Sequence, residues 1–239
     1  MTGKDDSARL PGSGQSDVIR LTGLRKTIAE RMVQSHSSAP HVTLTMKVDV
    51  TKLMGLKEET ERRIGAQLSY NAILIKVVAV ALEKHPILNS TLAGDEITIQ
   101  KEINVGLAIS LRNGLIVPVI RNANKCSLLQ ISRIVEDLVS RARANKLSIG
   151  EVTGGTFTLT NLGMFGVETF TPIIVLGQAA ILGVGMISDE VKALEAQIVT
   201  RKIMSLSLSF DHRIVDGAEA AQFLSGIKTL LEQCILDFQ

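Results

Sequence analysis

The sequence predicts an α/β fold, a two-layer sandwich in which a mixed β-sheet is packed with helices. Three observations lead there. The run Ala72 to Leu82 is apolar on nearly every side, so the helix it forms has no face to give to water and must be buried. Period-two strands alternate with amphipathic helical stretches, most plainly where Met204, Leu206, Leu208 and Phe210 interleave with Ser205, Ser207 and Ser209. Finally, 239 residues with 45% hydrophobic content suffice for one large core.

In chain order, residues 1–16 are rich in Gly, Ser and charge, and read as a flexible linker or an appended remnant, leaving 17–239 as the folded domain. "LTGLRKTIAERMVQSH" places Leu24, Ile28 and Met32 one helical turn apart. "HVTLTMKVDV" alternates as a strand, and "TKLMGLKEETERRIG" is a charged surface helix with Thr51 as its expected N-cap. The buried helix starts after Ser69 and is stopped by Pro86.

"EITIQ", "INVGLAISL" and "LIVPVI" are strands, the last two joined at Asn113-Gly114, a step suited to the positive φ of a type I′ turn. "SLLQISRIVEDLVSRARANKL" is a further amphipathic helix. "GGTFTLTN", "QAAILGVG" and "AQIVTRKIMSLSLSF" supply strands, the last expected to fold as a hairpin. Ala220, Phe223, Leu224, Ile227, Leu230, Leu231 and Cys234 recur at helical spacing, with Asp216-Gly217 at the helix start.

Bulk chemistry excludes several functions. A net charge of +2, no Trp and one Tyr make a poor nucleic-acid surface. Cys126 and Cys234 are far apart and in no CxxC spacing, which argues against a zinc site or disulfide scaffold and for free thiols in a reducing compartment. No run approaches the ~20 apolar residues of a membrane span, and the N-terminus lacks a signal-peptide core, so a soluble cytoplasmic chain is expected.

Chemistry concentrates in two stretches. In "SFDHRIVDGAEAAQF", His212 stands at the mouth of a strand and Asp216 four residues on, at a helix start. Each has a structural reading: a turn histidine, and an N-cap carboxylate. In "GGTFTLTNLGMFG", hydroxyls on alternate residues lead into a Gly-rich bend. Threonine's preference for strands accounts for them, yet Thr160 is also a hydroxyl donor beside backbone that a ligand can approach.

With these residues in view, the chain resembles the dihydrolipoamide acyltransferases, the core components of 2-oxo acid dehydrogenase complexes. "DHRIVDG" (Asp211–Gly217) matches their D-H-R-x-x-D-G signature, and "LRKTIAERM", "GLIVPVI", "GGTFTLTNLGMFG" and "QAAILGVG" match in the same order, so the likeness runs from about Val18 to the end. It implies a chloramphenicol-acetyltransferase-like sandwich. It also implies acyl transfer between a dihydrolipoyl arm and coenzyme A by direct thioester exchange, without metal. His212 would be general base, Thr160 oxyanion donor, and Asp216 an ordering group. Coenzyme A contacts implied by the resemblance fall on Lys57, Ser69, Ser110, Asn161 and Gly185. Some relatives carry Arg at the Lys57 position and Asp at the Ser110 position.

The same resemblance implies homotrimers with active sites between subunits, joined into a hollow cage. Its partners would be a lipoyl domain on another domain or chain, the 2-oxo acid decarboxylase and dihydrolipoamide dehydrogenase. Ile235, Leu236 and Phe238 are expected to dock into a neighbouring trimer. Where relatives carry a Pro pair after "FTPII", this chain has Val175-Leu176-Gly177, a departure that bears on loop shape. The competing expectations are a non-catalytic structural core subunit, against which His212 argues, and an antibiotic O-acetyltransferase of the same fold, against which "LRKTIAERM" and "QAAILGVG" argue.

Overall fold

The computed structural model describes residues 20–111, 114–194 and 197–235. Helix α1 (Gly23–Ser38) leads into β1 (His41–Asp49), followed by α2 (Thr51–Ile64) and α3 (Tyr70–Lys84). Strands β2 (Ser90–Ala93) and β3 (Glu96–Ile99) form a small separate hairpin. Then come β4 (Val105–Leu111), β5 (Gly114–Ile116), β6 (Val119–Ile120), α4 (Leu128–Arg143), β7 (Phe157–Asn161), β8 (Ala180–Leu194), β9 (Gln197–Asp211) and α5 (Gly217–Glu232).

The main sheet has seven strands in the order β1-β9-β8-β7-β4-β5, with β6 also paired to β4. Strand β7 runs parallel to β4 and β8 while the remaining pairs are antiparallel, so the sheet is mixed as expected. Helices α3, α4 and α5 cover one face. Helix α3 buries nine of its residues, and Ser69 caps it by accepting the Ala72 N–H at 3.2 Å. Ser127 and Gln130 close a capping box at the start of α4.

The second face is covered too. Residues 166–178 cross it as a strap: a Cβ on Gly183 would lie 2.9 Å from the Phe170 ring, and one on Gly185 would lie 1.8 Å from the Glu168 carbonyl oxygen. The alternating serines of β9 are therefore buried, at 8%, 2% and 0% exposure for Ser205, Ser207 and Ser209. Alternation suggested a strand half in water. In the fold, Thr43 and Thr45 of β1 satisfy Ser209 and Ser207 across the ladder at 2.7 and 3.2 Å.

Other local expectations shift for identifiable reasons. Val50, not Thr51, is the N-cap of α2, because the Thr51 hydroxyl accepts the Lys202 N–H at 2.8 Å while Asp49 accepts the Thr51 N–H. The stretch expected to be its own hairpin is one continuous strand, β9. Its partner is β8, which runs past "LGVG" to Leu194. Pro118, with no N–H to give, separates β5 from β6. Leu111 pairs with Gly114, which therefore opens β5; between them in the chain come Arg112 and Asn113. Those two residues, the 1–16 segment, Leu236 and Phe238 lie outside the described residues, while Ile235 is 56% exposed.

The Val175–Gly177 departure is resolved locally. The Gln178 N–H bonds the Val175 carbonyl at 2.9 Å, and Gly177 has φ of 85°. Glycine at the third position of a four-residue turn supplies the positive φ that closes it, in place of two fixed proline angles.

Candidate active site

His212 stands just past the end of β9, with its side chain exposed. Its backbone is held firmly: the His212 N–H donates to the Pro40 carbonyl at 3.1 Å, and the Ile214 and Val215 N–H groups both donate to the Asp211 carbonyl. Asp211, 3% exposed, accepts the Arg213 N–H at 3.0 Å and grips the Arg213 guanidinium at 3.0 and 2.7 Å. These bonds form the turn around the imidazole without using its ring nitrogens. The ring lies 5.7 Å from that of Phe210. Asp216 occupies the N-cap position of α5 in extended backbone, yet its side chain makes no cap hydrogen bond. The capping role read from sequence thus holds for the backbone only, and the exposed carboxylate is left for another use.

Thr160 sits near the far end of β7, level with Ala108 on β4 and Gly183 on β8. It shares a face with Thr158, whose hydroxyl is taken by Gln178 at 2.7 Å. Gly183 is in turn level with Ser207, five residues before His212. Five residues of strand and two strand spacings put His212 and Thr160 roughly 20 Å apart. Within one chain the structure does not bring them together.

Four of the five expected coenzyme A residues do converge. Lys57, Ser69, Asn161 and Gly185 line one cleft of about 480 Å³, at the same end of the sheet as Thr160. Ser110, exposed on β4, is not among its lining residues. Lys57 is no solvated helix charge: Glu61 holds its ammonium at 2.9 Å through both oxygens, and it lies 5.2 Å from the centre of the Tyr70 ring. Asn161 donates to Asn71 and accepts the Gly163 N–H, both at 2.9 Å. Gly185 falls in an irregularity of β8 between Val184 and Ile187, where the Glu168 backbone passes too closely for any side chain.

Tyr70, Asn71 and Gln67 also line the cleft and were not singled out from the sequence. Tyr70 and Asn71 adjoin the Ser69 helix start, a signal that could have found them. The roles of Asp211 and Arg213 were within reach of the motif itself, whereas nothing local marks Pro40.

Glu61 is the counter-charge to the cleft's Lys57. The Leu68 N–H at 2.7 Å, and then the Lys57 ammonium, hold its carboxyl below the ordinary value of 4.5. A carboxyl lowered on folding contributes stability above its ordinary value and loses that contribution as pH falls towards the lowered one. In urea titrations, Glu61→Gln is expected to unfold earlier than the unaltered chain at pH 7. The gap should narrow steadily from pH 5 to pH 3; a gap constant across that window would contradict the assignment.

The family model for the 2-oxoacid dehydrogenases acyltransferase catalytic domain matches residues 13–237. The chain belongs to this family. A relative from Bacillus subtilis, the dihydrolipoyllysine-residue acetyltransferase component of an acetoin cleaving system, is 40% identical over 96% of this chain and 59% of its own length. The chain thus spans about three fifths of that relative.

Among solved structures, the cubic core of a pyruvate dehydrogenase multienzyme complex superposes with a TM-score of 0.88 at 32% identity, covering 95% of this chain and 98% of the other. A dihydrolipoamide acetyltransferase from Azotobacter vinelandii, solved to study a serine, a histidine and an asparagine in its mechanism, gives 0.88 at 31% identity, with the same coverages. Chloramphenicol acetyltransferase, at TM-score 0.52 and 13% identity, shares the fold, which bears out the sandwich expected from sequence.

Proposed function

We propose that residues 17–239 are the catalytic core of a dihydrolipoamide acyltransferase, moving an acyl group between a dihydrolipoyl arm and coenzyme A at sites shared between neighbouring chains. The observation that carries this reading is the division of the machinery. The exposed His212 imidazole stands at one end of the sheet, while Thr160 and the Lys57–Ser69–Asn161 cleft stand at the other. Head-to-tail packing around a closed ring would juxtapose the two ends of adjacent chains. The serine, histidine and asparagine studied in the Azotobacter relative are spaced along that chain as Thr160, His212 and Asp216 are along this one. That supports carrying the three roles across.

In this reading, coenzyme A lies in the cleft with its thiol directed towards the partner's imidazole. His212 takes the thiol proton; with ordinary pKa values of about 6.5 for imidazole and about 8.5 for a thiol, the transfer near neutrality is only modestly uphill. The thiolate adds to the lipoyl thioester carbonyl, and the Thr160 hydroxyl donates to the resulting oxyanion. Collapse expels the lipoyl thiolate, which recovers the proton from the imidazolium. Asp216 holds the site through charge or hydrogen bonds across the interface. Any phosphate reaching Lys57 shares it with Glu61, and Ser110, outside the cleft, takes no part.

The ring is a homotrimer, trimers assemble into a hollow cage, and the lipoyl domain, the decarboxylase and dihydrolipoamide dehydrogenase are its partners. The two free thiols fit a cytoplasmic setting, and no described helix is long and apolar enough to cross a membrane.

Subunit mixing tests the reading. His212→Ala and Thr160→Val chains, each reduced at least about a hundredfold alone, should recover up to about a quarter of the unaltered rate when co-assembled at equal ratio, the share of interfaces random mixing leaves intact. No recovery in demonstrably mixed oligomers would overturn the shared site. A panel of acetyl-, succinyl-, isobutyryl- and isovaleryl-CoA with dihydrolipoamide identifies the acyl group by kcat/KM.

A further inference from the structure

The catalytic turn and the strap meet at one side chain that no motif marks. His41 opens β1, directly opposite Asp211 in the ladder. Its Nδ1 lies 2.8 Å from the Ala39 carbonyl oxygen, which can only accept, so Nδ1 carries the proton. Its Nε2 receives the Ile174 N–H at 3.2 Å, so that nitrogen must present its lone pair. The two partners together require a neutral imidazole in a single tautomer.

Both backbone groups of Ile174, a residue only 2% exposed, are thus satisfied by side chains from elsewhere in the chain. The N–H goes to His41, and the C=O accepts the Ser35 hydroxyl of α1 at 2.6 Å. The strap's other end is held by Gln178, which accepts from Thr158 and donates to Gly155. His41 is also covalently joined to Pro40, whose carbonyl anchors the His212 backbone. Removing the imidazole therefore loosens two things at once: the strap over the sheet, and the corner 39–41 from which His212 hangs.

We propose that His41 is a positioning residue for acyl transfer. Its neutral ring sets the strap against the sheet and, through the Ala39–His41 corner, fixes the height of the His212 turn. The catalytic part of this proposal rests on the acyltransferase reading above. His41 touches neither substrate; it acts through the placement of His212, and misplacing a reacting group by about 1 Å costs on the order of 10²-fold in rate.

The test uses the assembled protein and two readouts. For His41→Phe, which keeps the ring but neither bond, kcat with the best acyl-CoA should fall about 10- to 100-fold. KM for that acyl-CoA should stay within about twofold, because the cleft lies at the far end of the sheet. Amide exchange in the peptide 170–178 should accelerate at least about tenfold. His41→Gln, whose Oε1 can reach the Ile174 N–H, should restore both protection and most of kcat. His41→Asn, too short to reach it, should restore neither.

Ser35→Ala leaves the imidazole in place and removes only the second Ile174 bond, so it should speed exchange without the full loss in kcat. It also serves as an independent variant if His41→Phe fails to fold. Unchanged kcat and exchange in His41→Phe, or equal behaviour of the Gln and Asn variants, would overturn the proposal. Should the unaltered protein transfer no acyl group, the acyltransferase reading and the catalytic part fall together, while exchange at 170–178 still decides the tie.

Discussion

His212→Ala is expected to reduce kcat for acyl transfer by about 10²- to 10⁴-fold, the usual worth of a positioned general base. The effect should be catalytic and not structural. The side chain is exposed, and the turn is built by the His212 backbone N–H, the Asp211 carbonyl and the Asp211–Arg213 pair, none of which the substitution removes. Thermal unfolding should therefore move little. KM for the acyl-CoA should also hold, since the Lys57 cleft lies at the other end of the sheet. A His212→Ala protein retaining full activity would remove the imidazole from the mechanism. It would revive the expectation of a structural core subunit.

Thr160→Val is the second large effect, expected to lower kcat by about 10²- to 10³-fold, or ~2.7–4 kcal/mol in the transition state. Valine matches threonine in shape and strand preference, so β7 should keep its register with Ala108 and Gly183. The change deletes one donor from a half-buried position on the strap-covered face. Thr160→Ser retains the hydroxyl and should stay within about tenfold of the unaltered rate. Stopped assays with the best acyl-CoA, run on both variants, separate the hydroxyl's contribution from that of the side chain's bulk. Equal losses in the Val and Ser variants would point to packing and remove Thr160 as oxyanion donor.

Much of the fold was legible along the chain because element type follows local periodicity. The all-apolar turns of α3, the Ser127 start of α4 and the Met204–Phe210 alternation each settle their own element within a dozen residues. Where such readings slipped, a distant partner had intervened. Thr51 lost its capping role to a bond with Lys202, 151 residues away. The serines of β9 went from a solvent face to an interior one because residues 166–178 cross the sheet above them.

The candidate site divides the same way. The sequence alone determined the chemistry available: an imidazole, a carboxylate and a hydroxyl in the D-H-R-x-x-D-G and T-F-T-L-T-N stretches, together with the family that uses them. Tertiary structure alone decided their placement. It collected four cleft residues from α2, the start of α3, β7 and β8, left Ser110 outside, and sent His212 and Thr160 to opposite ends of one sheet. It also joined His41 to Ile174 across 133 residues. Periodicity and motifs are properties of neighbours along the chain. Strand order, register and the covering of a face are properties of segments that meet only when the chain folds, and no short window of sequence contains them.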